Sequence, residues 1–319
     1  MALKRIFAIV AAATCSLAGP AASAAQDAPQ PSGFEIPTGA ELLPYAEQSG
    51  RMTVPITING SGPYAFLVDT GSERTVISRE LAGALQLGAG PKTKMHSVTG
   101  ASNVATVIIP RLELSRRIVK DIAAPALSQL HIGASGMLGI DTLKTQHILF
   151  DFTGKRLALT SQPMPLPRMQ GEEIVVTARS RLGRLVLADA AVHGSRVIVI
   201  LDTGAEVSIG NEPLRRKLMK MRKLRETVPL ALVSVTGAHL AADYTSIEQV
   251  TIAGLRLTDM PVAFGDVRLF DELDLQDRPA ILLGMDVLSR FDRVAVNFPR
   301  REVRFQLPKK TGSEKLALR

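Results

Sequence analysis

The chain has 319 residues, enough for about two domains of ordinary size, and its composition is globular, with 46% hydrophobic and 21% charged residues. Trp is absent and aromatics make up 4%, so the core must be built from Val, Ile, Leu and Ala, a palette that favours strands where the branched types dominate. The formal net charge is +8, but a chain this poor in aromatic rings lacks the stacking platforms of a nucleic-acid binder, and nucleic acid is excluded as a partner.

Residues 1–25 read as a secretory signal. Lys4 and Arg5 precede an apolar stretch from Ile6 to about Ala18, followed by Gly19, Pro20 and the small residues Ala22-Ser23-Ala24-Ala25. The stretch falls short of the roughly 20 apolar residues that a membrane span needs, so the expectation is a cleaved signal and a periplasmic or secreted product. The only cysteine, Cys15, leaves with it, and the mature chain depends on packing instead of disulfides. Residues 26–47, rich in Pro and Gly, read as a leader or linker.

A first lobe is expected over 48–160. RMTVPITING (51–60) and YAFLVDTGSERTVIS (64–78) form a strand, a Gly-containing turn and a second strand that ends at Asp69. HSVTGASNVATVIIPRLEL (96–114) follows, then GMLGIDTL (136–143) and a closing hairpin, HILFDFTGKRLAL (147–159). SQPMPLPRMQGE (161–172) carries Pro163, Pro165 and Pro167, which cannot join a sheet interior, and reads as a linker.

The second lobe, expected over 173–308, repeats these landmarks in the same order. GRLVLADAAVHG (183–194) leads to RVIVILDTGAEVSIG (196–210), whose Asp202 stands 133 positions after Asp69. VSVTGAHLAADYTSIEQVTI (233–252) shares Ser-Val-Thr-Gly-Ala with the first lobe; ILLGMDVL (281–288) and the hairpin RVAVNFPRREVRFQL (293–307) complete the copy. Between the copies of Asp-Thr-Gly and the next element, RRKLMKMRKLR (215–225) places Leu214, Leu218, Met221 and Leu224 at helical spacing. It reads as an amphipathic helix with a solvated basic face; the second reading is a weak membrane-surface contact. The stretch from Gly204 to Gly284 exceeds its counterpart, and the extra length falls at GDVRLFDELDLQDRP (265–279), an acidic insertion expected to be a solvated surface loop, since it lacks the alternation and the Gly of a calcium loop. A basic tail, 309–319, ends the chain.

The chemistry follows from the doubled turn. A carboxylate on a tight turn at the end of a buried strand is fixed in place: the Gly lets the backbone bend and exposes amides near the carboxylate, and the Thr hydroxyl can bond a neighbouring backbone. If the two turns approach by pseudo-two-fold symmetry, two carboxyls share one site and cannot both ionise cheaply. One keeps a proton while the other acts as base on a water, an arrangement suited to amide hydrolysis without metal or cofactor. The five histidines show no paired metal spacing, and no metal site is expected. The bland reading of either Asp-Thr-Gly alone is a structural turn.

Asp69-Thr70-Gly71-Ser72, Asp202-Thr203-Gly204-Ala205, Met137-Leu138-Gly139 and Leu282-Leu283-Gly284 together resemble a retropepsin-like aspartic peptidase in a bacterial-type, two-lobe, single-chain form, over about 50–307. The resemblance implies a mostly β fold of two pseudo-symmetric, closed-barrel-like lobes with few short helices, acting as a monomer through intramolecular lobe pairing. It implies Asp69 and Asp202 as the catalytic pair, Thr70, Gly71, Ser72, Thr203, Gly204 and Ala205 as support for the turns, and a protein or peptide substrate. It also implies flaps, for which Val98, Thr99, Gly100, Val235, Thr236 and Gly237 are the candidates. Asp141 and Asp286 are expected to cap short helices. Where the copies diverge, the Ser72 hydroxyl is expected to donate to Asp69 and make it the ionised base, with Asp202 the acid. Two other readings of the chain are a non-catalytic peptide-binding module with the same cleft and a structural envelope protein using its basic face.

Overall fold

The computed structural model describes residues 40–48, 50–97, 100–160, 173–181, 183–187 and 189–308. The expected signal, most of the leader, the linker 161–172 and the tail 309–319 lie outside the described residues. Among the described residues strand dominates, and six short helices, the longest of nine residues, sit between strands.

In the first lobe, strands Arg51–Ile58 and Ser61–Val68 pair antiparallel through Asn59-Gly60, both at positive φ, the two-residue geometry that matches strand twist. From Ser61–Val68 the sheet passes to Gly136–Leu138 in parallel, to Val76–Ser78, to Arg117–Leu127 and to Thr106–Leu114, which returns to Arg51–Ile58 through Thr57 opposite Glu113 and Ile58 opposite Leu112. Six strands thus close on themselves, with no open edge between them. Val54, Ile56, Ile58, Phe66, Ile109 and Leu112 fill the interior with almost no exposure.

The second lobe repeats these pairings. Ile198–Leu201 runs parallel to Ala280–Leu283, which meets Ile209–Gly210, then Leu255–Phe264, then His239–Ile252. The turn His193-Gly194, again at positive φ, stands where Asn59-Gly60 stands in the first lobe. The fold class expected from the sequence, mostly β with barrel-like lobes and few helices, is the one observed.

The lobes are joined by six strands in the order Glu41–Pro44, Arg156–Thr160, His147–Asp151, Arg293–Asn297, Glu302–Gln306 and Glu173–Arg181, a sheet that runs on through Arg184–Leu187 into the second lobe. Its centre is the pairing of the two equivalent hairpin strands, His147–Asp151 and Arg293–Asn297, all of whose residues are buried. Apolar packing continues through this sheet from one lobe into the other, as a single cluster containing Phe66, Phe150, Phe298 and Phe305.

Packing corrects one expectation and shortens another. The acidic insertion is not a bare loop: it holds helix Arg268–Glu272, and Val267, Leu269, Phe270, Leu273 and Leu275 are buried against Ile198, Ile200 and Leu282. These apolar residues alternate with the acids, so one side anchors while Asp266, Asp271, Asp274 and Asp277 face out and Glu272 lines the cleft between the lobes. The basic segment forms helix Glu212–Lys220, capped by the Asn211 side chain on the Leu214 amide, and ends before Arg222, which takes positive φ. Leu214 and Leu218 are buried; Arg215 pairs with Asp243, Lys223 with Glu248 and Arg225 with Asp259, so part of the basic face is already neutralised.

Candidate active site

Strands Ser61–Val68 and Ile198–Leu201 each deliver an Asp to the same place between the lobes. The Asp69 amide donates to the Leu138 carbonyl at 3.0 Å and the Asp202 amide to the Leu283 carbonyl at 3.1 Å, so each apolar-apolar-Gly element anchors its own turn. Across the lobes the threonines interlock. Thr70 Oγ1 accepts from the Thr203 amide at 3.1 Å and donates to the Leu201 carbonyl, while Thr203 Oγ1 accepts from the Thr70 amide at 3.1 Å and donates to the Val68 carbonyl at 2.7 Å. Four buried bonds therefore fix one turn against the other, and each buried backbone group they satisfy would cost about 1–3 kcal/mol if left unpaired.

Gly71 and Gly204 complete the approach. A Cβ on Gly71 would overlap the Asp202 carboxyl, and one on Gly204 would overlap that of Asp69, so each carboxyl lies against the opposite turn and only glycine leaves room. Asp69 and Asp202 are 8% and 9% exposed, close to full burial for an ionisable pair. Asp69 Oδ1 accepts from the Gly71 and Ser72 amides at 2.7 and 2.9 Å, and Asp202 Oδ1 from the Gly204 amide at 2.9 Å. Burial pushes the Asp69 carboxyl well above its ordinary value, with the charge of Asp202 the second cause. Burial also raises Asp202, held back by the Gly204 amide, a hydrogen bond with Asp69 and the Arg184 guanidinium.

The carboxyls open into a cleft of about 700 Å³ whose walls include Met95, Met137, Ile209, Leu230, Leu232 and Leu269. The hairpin of Val228–Val233 and His239–Ile252 brings its turn over this cleft. Gly237, at φ +86°, lies against the His131 imidazole of the first lobe, and Val235 packs beside Met95 and Met137. Of the three flap candidates in this hairpin Val235 lines the cleft, whereas Thr236, which bonds the Ser234 hydroxyl within the turn, and Gly237 do not. In the first lobe Gly100 pairs with Ser97 in a two-stranded hairpin; Val98 and Thr99 lie outside the described residues.

Two details differ from expectation. The Ser72 hydroxyl donates to the Arg74 carbonyl at 2.9 Å and not to Asp69, because the turn aims it along its own backbone; only the Ser72 amide serves the carboxyl. Asp141 and Asp286 are the second residues of helices Ile140–Leu143 and Met285–Leu288, whose cap positions are Gly139 and Gly284. Their carboxylates instead grip the chain leaving the active turns: Asp141 accepts from the Thr75 amide and hydroxyl, and Asp286 from those of Ser208.

Four charged residues were not anticipated. Arg51 forms an ion pair with Glu206 at 3.2 Å, and Arg184 with Glu73 at 3.1 Å, each bond crossing between the lobes. The repeat carries the signal: each Arg stands 18 positions before its own lobe's Asp, and each Glu four positions after. Both guanidiniums are buried, and both line the cleft.

A family model described as aspartyl protease matches residues 54–142 and 188–287, one stretch in each lobe, together more than half of the chain. No curated protein matches it.

Proposed function

The chain belongs to the aspartyl protease family, in a retropepsin-like form with both lobes in one polypeptide, and on that premise we propose that it is an endopeptidase whose catalytic pair is Asp69 and Asp202. The observation that carries the reading is the pair itself: two buried carboxyls from two copies of one turn, each packed against the glycine of the other. With one proton between them, the ionised carboxylate takes a proton from water as the water oxygen attacks the peptide carbonyl carbon, and the protonated carboxyl donates to the carbonyl oxygen. Collapse of the tetrahedral adduct breaks the C–N bond, with a proton passed to the leaving nitrogen.

An extended segment suits this cleft. Among the described residues strand Val228–Val233 pairs on one side only, and Leu230 to Val233 line the cavity, so a substrate strand can bond its other edge while apolar side chains fill the walls. Cuts are then expected in tails, loops and linkers of folded targets. The reading extends to export, supported by the signal-like residues 1–25, and to action as a monomer, supported by a site completed within one chain. In a peptide-cleavage assay, Asp69→Asn and Asp202→Asn should each remove nearly all turnover, and the double variant should be little worse, because parts of one mechanism are non-additive. Turnover near wild type in either single variant would overturn the assignment.

A further inference from the structure

Arg51 and Arg184 are pseudo-symmetric in sequence and in their lobe-crossing ion pairs, yet their guanidiniums end in different places. Arg184 Nε donates to the Gly71 carbonyl at 2.7 Å, on the very turn that covers Asp202, while its Nη1 bonds Glu73. Arg51 donates to the Ile132 carbonyl at 2.9 Å, off the active turn. The symmetry of the dyad is broken by one positive charge.

We propose, building on the peptidase reading, that Arg184 is a positioning residue that fixes the negative charge of the dyad on Asp202 and leaves the shared proton on Asp69. Backbone amides do not decide the matter, because both carboxylates have them: Gly71 and Ser72 serve Asp69, Gly204 and Ala205 serve Asp202. What remains unmatched is Arg184, which is 4% exposed, so that water screens it little. Other charged and titratable groups around the cleft are Arg51, Glu73, Glu206, His131, His239 and Glu272, of which Glu73 and Glu206 sit at equivalent places in the two turns. The direction agrees with the electrostatics of the pair: burial raises both carboxyls, Asp69 well above the usual range, while the Gly204 amide, the hydrogen bond with Asp69 and the Arg184 charge hold Asp202 back. Asp202 then takes the proton from water and Asp69 donates to the carbonyl oxygen, the reverse of the assignment expected from Ser72.

The test compares Arg184→Gln, which keeps a donor for the Gly71 carbonyl and removes the charge, with Arg184→Lys, which keeps the charge, and Arg51→Gln, its pseudo-symmetric control. The acid limb of the kcat/KM profile reports ionisation of the dyad in the free enzyme. Loss of a positive charge beside the ionising carboxyl raises that pKa, so Arg184→Gln should move the limb to higher pH by about one unit, while the other two stay near wild type. Should Arg184→Gln not fold, Glu73→Gln frees the Arg184 charge and should move the limb to lower pH, further than Glu206→Gln does. Carboxyl ¹³C NMR between the two limbs, assigned with Asp69→Asn and Asp202→Asn, should show Asp202 ionised and Asp69 protonated. An ionised Asp69, or equal movement for Arg184→Gln and Arg51→Gln, would overturn the proposal. The NMR measurement needs no turnover, so a polarised dyad in a protein that cuts no peptide would sink the peptidase reading and leave this inference standing.

Discussion

Burial raises the Asp69 carboxyl well above its ordinary value, so from the pKa of an unfolded chain, about 3.9, up to that raised value the folded protein keeps a proton that the unfolded chain has released. The native state binds more protons there, and stability falls as pH rises through the window, the loss being complete above the folded pKa. Asn at 69 keeps the shape and the acceptor for the Gly71 and Ser72 amides but has no charge to desolvate. Asp69→Asn should therefore match wild type in thermal stability near pH 3.5 and exceed it near neutrality, by a few degrees, since 1 kcal/mol is worth roughly 2–4 °C. Parallel melting curves across that range would show that the carboxyl bears no such cost. The two Asp residues were legible because an Asp-Thr-Gly recurs in register with three other landmarks. The arginines were equally periodic, but a lone Arg at the head of a strand has no local chemistry to mark it. Only the folded chain puts Arg184 against the turn of the opposite lobe.

The hairpin that ends in residues 234–238 shows the same division at the scale of an element. Its tip was readable from the Ser-Val-Thr-Gly-Ala repeat, and its turn is braced from within, the Ser234 amide donating to the Ala238 carbonyl and the Gly237 amide to the Ser234 carbonyl. Its seat was not readable. Helix Gln129–Ile132, which carries His131, belongs to the other lobe and lies about a hundred positions away, so that no sequence window contains both partners. The acidic insertion was misjudged for a related reason: its charges are local, whereas the buried strands that its apolar residues cover are not. His131→Ala should unseat the tip, raising KM about fivefold, the equivalent of roughly 1 kcal/mol of lost contact, with a smaller effect on kcat. Amide exchange at Gly237 and Ala238 should quicken in the same variant. Unchanged exchange there would mean that the imidazole does not hold the hairpin down.

Across the whole molecule, the shared sheet decides how much of the leader the fold can spare. Its two halves mirror each other: each lobe contributes a closing hairpin, and each hairpin is flanked on the outside by a strand from the start of its lobe, Glu41–Pro44 on one side and Glu173–Arg181 on the other. Leu43 and Tyr45, both within the stretch that reads as leader, are 7% exposed and belong to the core cluster. Burying two such side chains contributes about 1.5–3 kcal/mol each, a large share of the roughly 5–15 kcal/mol that keeps a protein folded. Removal of Glu41–Pro44 would also turn Arg156–Thr160 into an open edge, a template for pairing with other chains. A chain beginning at residue 40 should therefore melt like one beginning at residue 26 and remain soluble, whereas one beginning at residue 49 should melt at least 5 °C lower, since 1 kcal/mol corresponds to roughly 2–4 °C, and aggregate. Any processing that matures the protein is then confined to peptide bonds before Glu41. Equal melting temperatures for the two truncations would show that the outer strand is dispensable and that the core closes without Leu43 and Tyr45.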